Sequence, residues 1–349
     1  MISIDSLLYI SWDVSPNLYE GFITLRYYSL FFALSFILGF IIVKKIYLKE
    51  GAPIEWMDKL LVYAVFGTII GARLGHVLFY EPAYYLKNPL EIFMVWKGGL
   101  ASHGAAIALV VAMYLYSRKI TKKHIFWSLD KLVIAVALAA GFIRMGNLMN
   151  SEIIGEKTES KYGIFYEFLS KQKLGIDGIE FENTGKSEMI DNFNYPICNI
   201  NFPSNIDLSL YSVRSYIDTI HGKFNFENIN SESYFFTDSL TLKNWEITNN
   251  KLSIPVYIIP RAPTQVLEAL SYWFIFIILF LGHWKWNWDL YQGRLFGVFL
   301  VMLFSARFFI EFLKEHQTID DMSVLNMGQW LSIPCILIGG FFIFKAKKI

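Results

Sequence analysis

The 349-residue sequence has few charged residues and few cysteines. Asp, Glu, Lys and Arg together make up 17% of the chain, where a soluble domain has about 25%. The net charge is only +1, which gives no indication of nucleic-acid binding, and we expect no nucleic-acid partner. Cys198 and Cys335 fall in different segments, which argues against a disulfide between them. No metal cluster or nucleotide motif is present, and we expect no metal, no cofactor and no catalytic cysteine.

Apolar residues make up 54% of the chain and occur in long runs. Several runs approach or exceed the roughly 18–20 residues that cross the hydrocarbon core of a bilayer. The sequence therefore predicts an all-α polytopic membrane protein with about seven transmembrane helices. Their approximate bounds are 27–43, 60–80, 100–116, 132–149, 266–281, 295–312 and 330–344.

Lysine and arginine predict the orientation, because short cytoplasmic loops carry an excess of both. They cluster after the first predicted helix, after the third and at the carboxyl end. We therefore expect an inner-membrane protein with its amino terminus outside and its carboxyl terminus in the cytoplasm. The first twenty residues lack the basic start and apolar core of a cleavable signal peptide.

One polar segment, 156–260, interrupts the predicted helices. It is rich in Asn, aromatic and β-branched residues, and its fragments 208–213 and 252–259 are typical of short strands. Its aromatic content argues against a disordered loop. We predict an extracytoplasmic head domain, α/β or mostly β. The chain is thereby divided into helices one to four (1–155), the head (156–260) and helices five to seven (261–349).

A histidine lies among glycines at the outer start of the third predicted helix. Gly98 and Gly99 precede His103, and Gly104 follows it. Imidazole titrates near neutral pH, so His103 is a candidate acid or base. The alternative is a histidine that bonds to a neighbouring carbonyl group.

Arginines in the fourth and sixth predicted helices are the second candidate feature. Arg144 and Arg307 carry permanent charges whose planar forks suit a phosphate or a carboxylate. Arg144 shares a helix face with Asn147. An ion pair with Glu152 or Glu311 is the structural alternative, and Arg307 lies four residues before Glu311.

Other polar residues are less specific. Gln265 and Glu268 follow Pro263 at the start of the fifth predicted helix, where an acidic residue also favours the helix dipole. Arg73 lies in the second predicted helix. Asp130 precedes the fourth and has the alternative of marking only a helix entry at the cytoplasmic surface.

Arginines at membrane depth with a histidine near the outer face indicate an anionic lipid head group as ligand. They do not fix a reaction. A transporter that binds anions, and a scaffold whose polar residues only join helices, are the alternatives. Transporters often have related halves, and the sequence shows no such symmetry. A scaffold needs neither the histidine among glycines nor two separated arginines.

These motifs resemble the prolipoprotein diacylglyceryl transferase family. The resemblance follows the family's order through all the predicted helices, and the run Arg–x–Gly–Asn–x–x–Asn–x–Glu–x–x–Gly from Arg144 to Gly155 is the family's signature. The head finds no recognised counterpart. The matching segments are LRYYSL at 25–30, GARLGHVLFY at 71–80, WKGGLASHGA at 96–105, IRMGNLMNSEIIG at 143–155, PTQVLE at 263–268, RFFIEF at 307–312 and MGQWLSIP at 327–334.

The resemblance implies a transferase of lipoprotein biosynthesis. Such an enzyme moves the diacylglyceryl group of phosphatidylglycerol onto the lipobox cysteine of a prolipoprotein signal peptide, forms a thioether and releases glycerol phosphate. The implied partners are phosphatidylglycerol, prolipoprotein signal peptides and membrane lipids. The implied fold has seven helices, an outer head and an outer amino terminus.

The resemblance also implies residue roles. His103, Arg144 and Arg307 correspond to catalytic positions: the arginines hold the phosphate and its developing charge, and the histidine is the base for the thiol. The substrate phosphate is the alternative proton acceptor. The implied lipid-binding residues are Arg144, Tyr28, Asn147, Glu152, Gly155, Glu311 and Arg73, and the supporting ones are Gly98, Gly99, Gly104, Asp130, Gln265 and Glu268.

Overall fold

The computed structural model describes residues 8–21, 24–95, 98–204, 206–225, 233–238, 241–248, 251–314 and 325–348. These residues form two compact units. The first unit consists of the described parts of Met1–Phe31, Arg144–Ala269 and Phe308–Met327. The second consists of those of Phe32–Ile143, Leu270–Arg307 and Gly328–Ile349.

The described part of the chain is mostly helical. Six of its helices are long and apolar enough to cross a membrane: α1, α2, α5, α8, α10, and α9 extended by the 3-10 turn Glu311–Leu313. The structure therefore has the helices of a polytopic membrane protein. The bounds are α1 Tyr27–Lys49, α2 Glu55–Phe79, α3 Pro82–Lys87, α4 Ser102–Tyr116, α5 Ile125–Met149, α6 Glu167–Leu174, α7 Leu210–Phe224, α8 Thr264–Trp284, α9 Arg294–Ile310 and α10 Met327–Lys345.

The predicted third crossing is the exception, and the predicted count of about seven is not confirmed. It coincides with α4, which has only 15 residues, where a crossing takes about 20. A π-helical turn, Ser117–Thr121, follows α4 directly. It ends at Lys122, whose φ of 57° is left-handed.

Small residues allow α2 and α4 to approach closely. Gly67, Gly71 and Gly75 recur every fourth residue on α2, the spacing typical of tightly packed membrane helices. A Cβ atom on Gly71 would lie 2.2 Å from Ala108 Cβ and 2.6 Å from the carbonyl oxygen of Gly104 on α4. This contact fixes the start of α4, where His103 lies.

The inserted region contains the main sheet of the first unit. Its strand order is β5-β6-β9-β7, with β8 also paired to β9, and all of these pairs are antiparallel. Asp191 and Asn192 have φ of 45° and 63°, as the two-residue turn between β5 and β6 requires. The strands are β1 Ile10–Ser11, β2 Asn17–Tyr19, β3 Leu25–Arg26, β4 Ile164–Phe165, β5 Glu180–Ile190, β6 Phe193–Asn201, β7 Phe235–Phe236, β8 Glu246–Thr248 and β9 Lys251–Ile258.

The core of this region joins the sheet to α7. Alternate residues of β9, Leu252, Ile254 and Val256, are buried in one cluster with Val213 and Ile220 of α7. The amino-terminal segment contributes β1, which pairs with β4 in parallel. The inserted region is thus a mixture of sheet and helices.

One of the two predicted strand fragments is wrong. The fragment 252–259 corresponds to β9, whereas 208–213 contains the start of α7. Ser209 caps α7 by accepting a hydrogen bond from the backbone N–H of Ser212. The spacing of Val213 and Ile220 places both on one buried helix face, a period that six residues are too few to show.

Candidate active site

Arg144, near the carboxyl end of α5, is held by two neighbours. Its Nε lies 2.8 Å from Oε2 of Glu268 in the first turns of α8. Its Nη1 donates to Oδ1 of Asn147, one turn further along α5, at 3.3 Å. Nη2 has no hydrogen-bond partner among the described residues, and 16% of the side chain is exposed. The guanidinium is therefore oriented with one edge left for an anionic ligand.

Glu268 connects Arg144 to a second cation. It is 0% exposed, and its Oε1 lies 2.9 Å from Nζ of Lys314. Lys314 is itself 3.2 Å from Oε2 of Glu311. The four groups alternate in charge, so each buried charge has an opposite neighbour, as burial requires.

The loop after α5 is fixed by buried polar side chains. Gln265 donates from Nε2 to the carbonyl oxygen of Glu152 at 2.6 Å and to the hydroxyl of Tyr166 at 3.1 Å. Asn147 donates from Nδ2 to Oε2 of Glu152 at 3.2 Å. Ser151 and Ile153 have φ of 53° and 57°, a backbone strain of the kind that concentrates at functional sites.

Gly155 and Tyr28 complete this cluster. A Cβ atom on Gly155 would lie 2.5 Å from the carbonyl oxygen of Ala262, so only glycine fits there. The ring of Tyr28 packs on Gly146, and its hydroxyl lies within electrostatic range of Arg144 and Glu152. Eight predicted site residues thus meet in the first unit: Tyr28, Arg144, Asn147, Glu152, Gly155, Gln265, Glu268 and Glu311.

In the second unit, His103 lies in the first turn of α4. Its ring centroid is 5.3 Å from that of Phe79 and 5.8 Å from that of Tyr80. The imidazole is half-buried and has no hydrogen bond to another described residue. The described residues thus show no hydrogen bond from His103 to a carbonyl group, which was the alternative interpretation.

Arg73 holds the loop that precedes His103. It is 3% exposed and donates to four backbone carbonyl oxygens, those of Glu91, Ile92, Gly98 and Gly99. The Nε, Nη1 and Nη2 groups of Arg73 all donate to carbonyl oxygens of this loop. Its lipid-binding role stays a prediction. Trp96 and Lys97 of the same motif lie outside the described residues.

The two glycines of this loop have left-handed backbones, with φ of 86° at Gly98 and 70° at Gly99. A Cβ atom on Gly98 would meet open space, whereas one on Gly99 would lie 2.6 Å from Cδ2 of His76. Gly99 is therefore required both by its backbone and by the His76 ring.

Arg307, on α9, differs from the other arginines of the predicted site. It is half-buried and has no hydrogen bond or ion pair with any described residue. The ion-pair partner of Glu311 is Lys314. A cation in a membrane helix that has no counter-ion within the described part of the chain is suited to an anionic ligand.

Asp130, on α5, caps a neighbouring helix. Its carboxylate accepts hydrogen bonds from the backbone N–H groups of Gly293 at 2.7 Å and Phe296 at 2.8 Å. It caps the amino end of α9, in keeping with its predicted supporting role.

Comparisons with known proteins give one family. The sequence model of the family described as "Prolipoprotein diacylglyceryl transferase" matches residues 16–345. The chain is 34% identical over 346 residues to the "Phosphatidylglycerol--prolipoprotein diacylglyceryl transferase" of Chloroherpeton thalassium, which covers 99% of this chain and 97% of that protein. It is 35% identical over 349 residues to the protein of the same name from Porphyromonas gingivalis, with 97% and 95% covered.

The chain belongs to the prolipoprotein diacylglyceryl transferase family. The predicted resemblance is thereby confirmed. A third relative of the same name, from Tolumonas auensis, is 33% identical over 330 residues and covers 94% of each chain.

Two residues of the polar cluster around Arg144 and Glu268 were missed by the sequence analysis. Lys314 lies just beyond the sixth predicted helix, and its position three residues after Glu311 is a signal for an ion pair. Tyr166 lies 99 residues from Gln265, its hydrogen-bond partner, and no local pattern links the two.

Proposed function

We propose that this protein transfers the diacylglyceryl group of phosphatidylglycerol to the lipobox cysteine thiol of prolipoproteins, the first step of lipoprotein maturation. The observation that carries the proposal is Arg144, which Glu268 and Asn147 hold with Nη2 left for a ligand. Arg144 opens the family's signature run, and the relatives' names specify this lipid and this protein substrate.

In the proposed reaction, the sulfur of the lipobox cysteine attacks the diacylglyceryl carbon that is bonded to the phosphate oxygen. A carbon–sulfur bond forms as the carbon–oxygen bond breaks, and glycerol phosphate leaves with the electron pair. The thiol must lose its proton, because the thiolate is the nucleophile. Negative charge grows on the phosphate, so a fixed cation there favours the transition state.

The residues receive roles on that basis. Arg144 binds the lipid phosphate, and Tyr28, Asn147, Glu152, Gly155 and Glu311 form or support its binding site. Arg307, which has no counter-ion among the described residues, stabilises developing charge. His103 accepts the thiol proton. Gln265 and Glu268 position the loop and Arg144, while Gly98, Gly99, Gly104 and Asp130 keep the second unit in shape.

A cavity in the second unit suits a lipid tail. Its volume is about 260 Å³, and its lining is almost entirely apolar, with Phe32, Phe36 and Leu60 among the residues. Phosphatidylglycerol has two acyl chains, and both stay on the diacylglyceryl group that is transferred. They need an apolar environment during the reaction. We propose that this cavity accommodates acyl-chain carbons.

The topology is also proposed. The described residues 102–121, α4 and its π-helical turn, give a continuous helical segment close to the length of a crossing. Counted as a crossing, it makes seven, with the amino terminus and the 156–260 region outside and the carboxyl terminus in the cytoplasm of a bacterial inner membrane. On this assignment, 1–155 and 261–349 are the membrane domains.

The direct test uses the purified protein with phosphatidylglycerol and a peptide that contains a lipobox cysteine. Mass spectrometry of the peptide should show one added diacylglyceryl group. A peptide with serine in place of the cysteine, and phosphatidylethanolamine in place of phosphatidylglycerol, are the controls. An absence of adduct from folded protein would refute the proposed function.

A further inference from the structure

Three potential metal ligands meet at one end of the second unit. Glu50 directly follows α1, His283 lies in the last turn of α8, and Asp289 lies in the 3-10 turn Trp288–Leu290. One ligand atom from each lies within 4.8 Å of the other two. None of the three belongs to the catalytic or lipid-binding residues proposed above.

His283 is the decisive member of this trio. Its side chain is 0% exposed, and neither Nδ1 nor Nε2 has a hydrogen-bond partner among the described residues. Within the same part of the chain, Oδ1 of Asp289 is likewise buried without a hydrogen-bond partner. Buried polar atoms without partners are costly and rare, so an unpartnered imidazole and an unpartnered carboxylate oxygen on residues whose ligand atoms lie within 4.8 Å of each other indicate a common ligand.

We propose that Glu50, His283 and Asp289 bind a divalent transition-metal ion, with Zn²⁺ as the probe. Imidazole and carboxylate are both zinc ligands, at about 2.0–2.2 Å. In tetrahedral geometry such bonds place the donor atoms about 3.4 Å apart, so small side-chain rotations close the observed spacing. A water molecule takes the fourth position.

The surroundings orient one of the ligands. Nε1 of Trp127 donates to Oε2 of Glu50 at 2.8 Å, and Nζ of Lys131 lies 3.1 Å from its Oε1. Such contacts fix the direction of a metal-binding carboxylate. Lys131 also donates to the carbonyl oxygen of Trp127 at 2.9 Å.

Acidic and basic side chains both lie around the trio. Glu50, Asp130 and Asp289 are the acidic groups in electrostatic range of His283 or of one another, Lys49 and Lys131 are the basic ones, and Lys123 is in range of Lys131. Asp130 is occupied by the backbone of α9, and Lys49 lies over the ring of Trp284 at 4.6 Å. The bound ion joins the end of α1 to the end of α8 and to the turn before α9.

The experiment measures zinc in the full-length protein in detergent. The protein is stripped with EDTA, exposed to one equivalent of Zn²⁺ and desalted, and the retained metal is counted by mass spectrometry. We expect one Zn²⁺ per chain for the wild type. The Kd, measured by competition with a chelating dye, should be at least 100-fold weaker in His283→Asn and at least tenfold weaker in Asp289→Asn.

His124→Asn is the matched control, because His124 is exposed and lies outside the trio. Its zinc content and Kd should equal those of the wild type. The proposal is overturned if the wild type retains no zinc, or if Asp289→Asn and His283→Asn bind it as tightly as the wild type. If His283→Asn does not fold, the nearly isosteric Asp289→Asn decides alone.

Discussion

Arg144 and Glu268 form an ion pair in which only the cation reaches the surface. Nε of Arg144 lies 2.8 Å from Oε2 of Glu268, and the exposed fractions of the two side chains are 16% and 0%. The second oxygen of Glu268 binds Lys314 at 2.9 Å. Glu268 is therefore a positioning residue, which holds the guanidinium without occupying its accessible edge.

Glu268→Gln should lower both activity and stability. The amide keeps the shape of the carboxylate but removes the negative charge that Arg144 and Lys314 share. Loss of one partner from a buried ion pair costs about 3–5 kcal/mol. We expect a loss near the lower end of this range because Lys314 keeps its ion pair with Glu311. Thermal unfolding and kcat/KM for transfer are the measurements. Glu55→Gln, at an exposed site on α2, should change neither.

Arg307→Lys should abolish most transfer without loss of stability. The residue has no partner among the described residues, so the fold loses no bond. Lysine keeps the charge but not the planar fork that suits a phosphate, and loss of one such contact in the transition state lowers kcat by about 10²–10³-fold. Arg118→Lys is the matched control. Activity of Arg307→Lys within threefold of the wild type would contradict the phosphate role.

Arg73→Lys should show the opposite pattern, a loss of stability that precedes any effect on chemistry. Arg73 bonds to four carbonyl oxygens, and a lysine cannot reach all of them from one nitrogen. Each buried carbonyl left without a donor costs about 1–3 kcal/mol. The midpoint of thermal unfolding should fall well below that of Arg307→Lys. Equal midpoints for the two variants would show that the Arg73 contacts do not stabilise the loop.

The neighbouring glycines Gly98 and Gly99 allow backbone strain and collision to be separated. Both have left-handed φ, which costs an alanine about 1–2 kcal/mol. Gly98→Ala meets open space and should lose only that amount. Gly99→Ala also collides with the His76 ring and should be less stable than Gly98→Ala in thermal unfolding. The same stability for both variants would exclude the collision.

The sequence located the polar cluster more accurately than the elements around it. Arg144, Asn147 and Glu152 could be grouped because helix periodicity relates residues three and four apart. The partner of Arg144 was not fixed by that rule, which offered Glu152 or Glu311, whereas the structure has Glu268. Contacts across more than a hundred residues depend on tertiary packing and leave no local pattern.

The long helices could also be predicted from local sequence, whereas shorter elements and distant clusters could not. Six apolar runs predicted spanning helices whose ends lie at most seven residues from those in the structure, because the length of an apolar run is informative by itself. The fragment 208–213 was too short to distinguish a strand from α7. Glu50 lies more than two hundred residues from His283 and Asp289, so no ligand spacing in the sequence could have indicated that the three meet.

The buried core around β6 predicts how stability depends on pH. Burial raises the pKa of the Cys198 thiol from 9.0 to about 12, and its Sγ lies 3.1 Å from the Tyr9 hydroxyl. In the folded state the thiol keeps its proton, while the unfolded state loses it near 9.0. Stability is therefore lost as pH rises from about 9 towards 12. Cys198→Ala should show a smaller loss between pH 8 and pH 10 in chemical denaturation, with transfer activity unchanged. An identical pH dependence in both proteins would refute this.

His103→Gln tests where the thiol proton goes. The imidazole lies against the rings of Phe79 and Tyr80 and has no hydrogen bond to another described residue, so glutamine removes no hydrogen bond from the described part of the fold. A general base contributes about 10²–10⁴-fold, and we expect a loss of that size in kcat/KM. The variant should also lose the acidic limb of the pH–rate profile, which a merely structural role would leave in place. A loss below tenfold with an unchanged profile would assign the proton to the substrate phosphate. His124→Gln, at the exposed site, should match the wild type in both measurements.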